Sequence, residues 1–185
     1  MTIFEITPSS NESDVEQKFI FPLLSDAGLL AIPADAVKSK AYLAPSQLDK
    51  STGRRVGYYP DYSVWFLGMP VLIVEAKDPT VSSETGFREA SLYAKHLNSR
   101  YQTNLNPCRY ILATNGKTLL AGYWDQDAPI LQLSITDINV GTAATEQLIA
   151  FCGRAALDIH SQNYFKKVKI QRALGHTALS VVKHF

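Results

Sequence analysis

The sequence predicts a single α/β domain in which a central mixed sheet is flanked by helices. Three observations predict it. An aromatic and β-branched run (Val56 to Phe66) meets an apolar run (Val71 to Val74) across a tight turn at Leu67-Gly68-Met69-Pro70. Apolar residues at helical spacing precede and follow that hairpin. Three further short strand patterns separated by turn signals come after it. The 185 residues are enough for one sizeable core, and 46% hydrophobic with 19% charged residues is ordinary for a globular chain.

The first helix has its lead-in at Pro8 to Asn11, with Ser10 or Asn11 as N-cap. Glu12, Asp14 and Glu16 in the opening turns suit the helix dipole. Val15, Phe19, Leu23 and Leu24 form the inner stripe, Pro22 bends the helix, and Gly28 stops it. Glu12 and Glu16, four apart, share one face and read as solvated acids, with the alternative that one of them reaches the acidic site. Ala36 to Leu43 alternates weakly and predicts a strand. Pro45 to Arg55 is a polar loop whose Arg54 and Arg55 suit either phosphate contact or ordinary surface charge.

The hairpin is the centre of the pattern. Val71 to Val74 suits a strand buried on both faces. Charge then appears at Glu75 and Lys77, which are two apart and so share a face. With the turn centred on Gly68, cross-strand partners sum to 136, which sets Asp61 opposite Glu75. Carboxylates at that spacing, with Cβ atoms about 5 Å apart, repel unless a proton or cation sits between them. A hard, oxygen-binding cation such as Mg²⁺ fits. The expectation depends on register, because a slip of one residue turns Asp61 to the other face.

A second helix starts at Ser82 or Ser83 and runs to about Leu97, with Phe87, Ala90, Ala94 and Leu97 inward and Glu89 and Tyr93 on an adjacent face. Lys95 and His96 end it in favourable dipole positions. Arg109 to Ala113, Lys117 to Trp124 and Ile130 to Ile135 are strands, the first two joined by a two-residue hairpin at Asn115-Gly116. Thr142 to about His160 is helical. Residues 163–185 form a basic, partly helical tail or linker beyond a domain at 1–162. That tail holds five of the 18 Lys and Arg and no acid, so the other 162 residues carry 13 basic against 17 acidic groups. An acidic body with a basic tail is compatible with a metal site plus a phosphate contact, and equally with a solvated helix face.

Several classes drop out. No apolar run approaches the ~20 residues of a membrane span, and the N-terminus lacks signal-peptide character. Cys108 and Cys152 give neither a disulfide framework nor metal-ligand spacing, so a reducing, cytoplasmic setting is the default. Gly116-Lys117-Thr118 lacks the first glycine of a phosphate-binding loop, with Ile111 in its place. The four His are scattered, and no nucleophile elbow is present.

Pro60-Asp61, thirteen residues, and Glu75-Ala76-Lys77 resemble the motif of the PD-(D/E)XK nuclease superfamily. In context, the helix NESDVEQKFIFPLLSDAGL, the hairpin YYPDYSVWFLGMPVLIVEAKDP, the helix REASLYAKHLN and the strand pair RYILATNGKTLLAGYW together resemble the N-terminal endonuclease domain of type I restriction enzyme R subunits, over about residues 11 to 124. The resemblance implies a restriction-endonuclease-like αβββαβ core and Mg²⁺-dependent hydrolysis of double-stranded DNA, with Mn²⁺ able to substitute. It implies that Asp61 and Glu75 are metal ligands, joined by the Ala76 carbonyl and assisted by Glu12. It implies that Lys77 orients or helps deprotonate the attacking water and offsets phosphate charge. The helix that carries Gln-x-x-x-Tyr in the family has Glu89 and Tyr93 here, so DNA contact by this helix is implied with an added carboxylate. The implied partners are a helicase or motor region and other restriction–modification subunits.

The chemistry suits those roles. Phosphodiester hydrolysis needs an activated water and charge stabilisation on oxygen, and a hard cation supplies both. Lysine suits the third role as a compact charge whose pKa falls when desolvated near a cation. Two readings compete. A structural ion-pair cluster would make three ionisable groups at the end of an apolar strand costly for stability alone. A catalytically inactive nucleic-acid-binding or protein-docking module with the same fold is the other; Glu89 and the acidic body suit it, and an intact Asp61, Glu75 and Lys77 do not. No Walker motif is present, so ATP-driven translocation does not reside in these residues. The C-terminus at Val182 to Phe185 has no clear stop signal, which favours a domain excised from a longer protein over a stand-alone one.

Overall fold

A computed structural model describes residues 6–7, 10–41, 59–101 and 104–167. Arg54, Arg55, the loop at Pro45 to Arg55, the start of the first hairpin run and nearly all of the basic tail lie outside the described residues. The described chain forms a six-stranded mixed sheet in the order β1-β2-β3-β4-β5-β6. The strands are β1 (Val37–Ser39), β2 (Tyr62–Phe66), β3 (Met69–Ala76), β4 (Tyr110–Thr114), β5 (Thr118–Tyr123) and β6 (Leu131–Ser134). Only β3 and β4 pair in parallel; every other neighbouring pair is antiparallel. A parallel pair needs a crossover, and helix α3 (Ser83–Asn98) provides it.

The first helical stretch comprises α1 (Glu12–Val15), a π-helical turn (Glu16–Ile20) and α2 (Phe21–Ser25). Asn11 caps it: its side chain accepts from the Asp14 N–H at 3.0 Å, and the Asp14 carboxylate accepts from the Asn11 N–H. Pro22 has no N–H, and its ring would crowd the carbonyl four residues back. The chain widens rather than kinks, and the Phe21 N–H donates to Glu16 five residues back. With α1, α2 and α3, the order of elements through β4 is α-β-β-β-α-β, as the family resemblance implies.

The sheet separates two apolar clusters. Leu72, Val74 and Ala76 of β3 pack with Val15, Phe19, Leu23 and Leu24 on one face. Ile73 packs with Phe87, Ala90, Ala94 and Leu97 of α3 on the other. All eight β3 residues are buried, as a central strand covered on both faces must be. Each fully buried Leu or Ile contributes about 2 kcal/mol by leaving water. Glu75 therefore falls on the α3 face, the face of Ile73.

Four sequence expectations need correction. The first strand is only three residues long: Lys40 takes a left-handed conformation (φ 44°), and the ladder ends there with the Lys40 N–H on the carbonyl of Asp61, its position in register, at 2.9 Å. The hairpin turn is Leu67-Gly68 alone, with φ of 51° and 73°, as a type I′ turn requires; Met69 and Pro70 already belong to β3. Asn115-Gly116 is not a two-residue turn, since Thr114 pairs with Leu119. The Asn115 side chain instead accepts from the Lys117 and Thr118 N–H groups and closes a longer loop.

The helix from Thr142 breaks in two. Helix α4 (Ala143–Cys152) ends at Gly153, whose ψ of 169° turns the chain into a new helix, α5, over 154–167. A Cβ at Gly153 would lie 2.6 Å from the Ile149 carbonyl oxygen. Gly153→Ala is therefore expected to destabilise the protein by about 1–3 kcal/mol in urea unfolding, by overpacking alone.

Candidate active site

The ladder between β2 and β3 pairs Tyr62 with Val74, Ser63 with Ile73 and Val64 with Leu72, so these three pairs sum to 136. It stops one pair short of Asp61. Asp61 bends out of the strand, and its Oδ2 accepts the Ala76 N–H at 2.7 Å. Asp61 is thus not a ladder partner of Glu75 but a cap on the C-terminal edge of β3, one peptide beyond Glu75. Pro60, which cannot donate to a ladder, precedes the bend.

Two groups of side chains gather at that edge, and Asp61 belongs to the first. On the α1 side, one carboxylate oxygen each of Glu12, Glu16 and Asp61 lie within 4.8 Å of one another. Lys40 reaches into this group, with Nζ 3.1 Å from Glu16 Oε1 and 3.9 Å from Asp61 Oδ1. On the α3 side, Lys77 Nζ donates to Glu75 Oε1 at 3.0 Å and pairs with Glu89 Oε2 at 2.9 Å. The Lys77 N–H continues the parallel pairing by donating to the Thr114 carbonyl at 2.8 Å. Ala76 is fully buried at the last ladder position, beside Thr114.

Electrostatics at this edge are dominated by burial. Asp61 is 6% exposed and Glu75 4%. Burial, then the charges of Glu16 and Glu12, push the Asp61 carboxyl up to about 6, although the Ala76 N–H and Lys77 act the other way. Burial followed by the Asp61 charge pushes Glu75 up to about 8, against the pull of Lys77. Burial is the largest cause at both carboxyls, and at Glu75 the Asp61 charge adds to it. Burial draws the Lys77 ammonium down, but the bonds to Glu89 and Glu75 outweigh it and hold Lys77 above its ordinary value. The expected fall in the Lys77 pKa is thus reversed here, because two carboxylates clamp it.

The donor set fits a hard divalent cation. Every candidate ligand is an oxygen. Glu75 Oε2 is buried and has no hydrogen-bond partner. An orphan carboxylate oxygen in a buried site carries a large desolvation cost that a cation would offset.

The remaining predicted positions divide. Tyr93 is half-buried on α3 and packs against the cluster around Ile73 and Phe87. Burial and the Glu75 and Glu89 charges push its hydroxyl up to about 12, so it stays neutral. Glu89 joins the site through Lys77. Glu16 is buried beside Asp61 and so is not the solvated acid its helix position suggests, while Lys40 is a member with no counterpart in the sequence expectations. The four-residue spacing from Glu12 points to Glu16; nothing local points to Lys40. Cys108 and Cys152 are free and buried, with no part in the site.

No family model and no curated protein matches the sequence. Among solved structures, the type IIG restriction endonuclease BpuSI is similar to this chain at 16% identity with a TM-score of 0.47; the match covers 86% of this chain and 18% of that one. No helix among the described residues is long and apolar enough to cross a membrane.

Proposed function

We propose that this chain is a Mg²⁺-dependent DNA endonuclease domain that hydrolyses phosphodiester bonds in double-stranded DNA. The proposed setting is restriction of foreign DNA in the cytoplasm, as part of a type I restriction R subunit whose motor region and partner subunits lie outside these residues. The observation that carries the reading is the unpartnered, buried Glu75 Oε2 one peptide from Asp61 and bonded through its other oxygen to Lys77. An acid, an acid and an amine at the open end of one strand are the groups phosphodiester hydrolysis requires.

When bound, a divalent cation supplies a water of lowered pKa and neutralises charge on the phosphate. Asp61 and Glu75 would hold that cation, with the Ala76 carbonyl and Glu12 as further oxygen donors. The Ala76 N–H fixes the Asp61 carboxylate against the strand, so its orientation is set before any ligand arrives. Lys77, whose ammonium bonds Glu75 and Glu89 in this structure, would offer a hydrogen to a phosphate oxygen or to the attacking water. Tyr93, Arg54 and Arg55 would complete the DNA contact.

Incubating the full chain with supercoiled plasmid and Mg²⁺ or Mn²⁺, with and without chelator, tests the reading. Nicked or linear product is expected with metal and none with chelator. Asp61→Ala and Lys77→Ala should each remove the product. Cleavage that persists in these variants discards the site. Binding of DNA without cleavage by the intact chain favours the non-cutting module, a reading suited by the double engagement of Lys77.

A further inference from the structure

The Lys77 ammonium has two carboxylate partners of different kinds. Glu75 is buried in the sheet, whereas the Glu89 side chain is 41% exposed on the surface of α3. The Lys77 side chain is itself only 12% exposed. It reaches Glu89 by passing beneath the helix at Gly86, one turn earlier on the same face. A Cβ at Gly86 would meet Lys77 Cγ at 3.2 Å and Glu75 Cγ at 3.7 Å. The small residue lets α3 lie close over the strand, and the carboxylate three positions on closes over the ammonium from the solvent side. Packing of α3 does not need this carboxylate, because Phe87, Ala90, Ala94 and Leu97 carry the buried face.

The direction of approach gives the pair a consequence. Glu75 and the strand block Lys77 from within, so an anion from solvent must come from the exposed side, where Glu89 stands. A phosphate oxygen binding an ammonium takes a position at about 2.8 Å. Glu89 Oε2 holds such a position at 2.9 Å. The two anions cannot share it, and a duplex brings phosphates that repel a carboxylate left in place.

We propose that Glu89 is a latch on the candidate site: its carboxylate occupies the place on Lys77 that a DNA phosphate takes, and DNA engages Lys77 only as the Lys77–Glu89 pair opens. This rests on the nuclease reading above and adds a resting state to it. The exposed half of the pair is the half that moves, and the buried half, Glu75–Lys77, stays.

The test measures binding of a labelled duplex oligonucleotide to the full chain in Ca²⁺, at about 50 and 200 mM salt, for the native protein, Glu89→Gln, Lys77→Ala and the double variant. Glutamine keeps size and helix propensity while removing the charge. Glu89→Gln is expected to tighten binding by about three- to ten-fold at low salt, with a smaller gain at high salt, as an exposed pair predicts. In the Lys77→Ala background the same substitution is expected to gain less than two-fold, since its target is gone. An equal gain in both backgrounds overturns the latch, because it then reports general charge removal. Weaker binding by Glu89→Gln also overturns it and makes Glu89 a DNA-contacting or Lys77-orienting group. Failure of every protein to bind duplex overturns the nuclease reading and the latch together, which separates the two failures.

Discussion

Glu75→Gln is expected to abolish metal-dependent cleavage while making the metal-free protein more stable. The two effects come from one atom. Glu75 Oε2 is buried without a partner, so in the folded, ion-free state the carboxylate is costly. Glutamine has nearly the same shape, and its Oε1 still accepts from Lys77. Its amide has no charge to desolvate and none to oppose Asp61. A gain of a few °C in Tm is expected, since one kcal/mol corresponds to ~3 °C for a chain of this size. The activity change runs the other way. A neutral amide binds a hard cation poorly, and loss of several kcal/mol of charge stabilisation corresponds to a rate loss of roughly a thousand-fold or more. Plasmid nicking and differential scanning fluorimetry on the same preparations measure both. Loss of activity together with loss of stability would instead identify Glu75 as part of a structural ion-pair cluster, and the metal-site assignment would fall.

The site's partial legibility in the sequence has physical causes. Alternation along a strand is local, so Glu75 and Lys77 belong to one face whatever the rest of the chain does, and their 3.0 Å pair follows. The hairpin register is subtler. The turn is centred between Leu67 and Gly68, and the pairs next to it, Phe66 with Met69 and Trp65 with Pro70, sum to 135. A register shift after Trp65 restores 136 for the inner pairs. A turn centred on Gly68 therefore predicts the inner register correctly from a misplaced centre, because periodicity does not locate a bulge. Pro70, which lacks an N–H for the ladder, is the residue that marks it. The last pair fails for a different reason: Asp61 lies past the ladder's end, where its side chain, rather than its backbone, satisfies Ala76. The Lys77–Glu89 pair and the reach of Lys40 depend on how α3 and the turn after β1 dock against the sheet; Glu89 is marked in the sequence only by its place in the family pattern, and Lys40 by nothing. The break at Gly153 is marked by a glycine, but only the contact with Ile149 explains why no other residue serves there.

The metal-free protein is expected to lose stability as pH rises from about 4 to 8. Sign and window follow from the two raised carboxyls. In the unfolded chain Glu75 and Asp61 ionise at their ordinary values, 4.5 and 3.8. In the folded protein they hold their protons until about 8 and about 6. Between those limits the folded state binds more protons, so stability falls with pH; it is fully present below the ordinary values and lost once the folded values are passed. The two groups are coupled, and the combined loss is on the order of a few kcal/mol. His160 contributes with the opposite slope. Its Nε2–H donates to the Pro107 carbonyl at 2.8 Å, and burial holds the imidazole below its ordinary 6.5, so protonation of the unfolded chain weakens the fold as pH falls through that value. The difference between native protein and Glu75→Gln removes the His160 contribution and isolates the carboxyl. Urea unfolding in chelator at pH 5, 6.5 and 8 should show the native protein falling relative to the variant across this range. Mg²⁺ should flatten the native curve and leave the variant's nearly unchanged, because a cation stabilises the ionised pair and the amide offers it little. Parallel curves for the two proteins in chelator would mean that Glu75 ionises as an ordinary surface acid, and the buried, cation-seeking carboxylate on which the site rests would not exist.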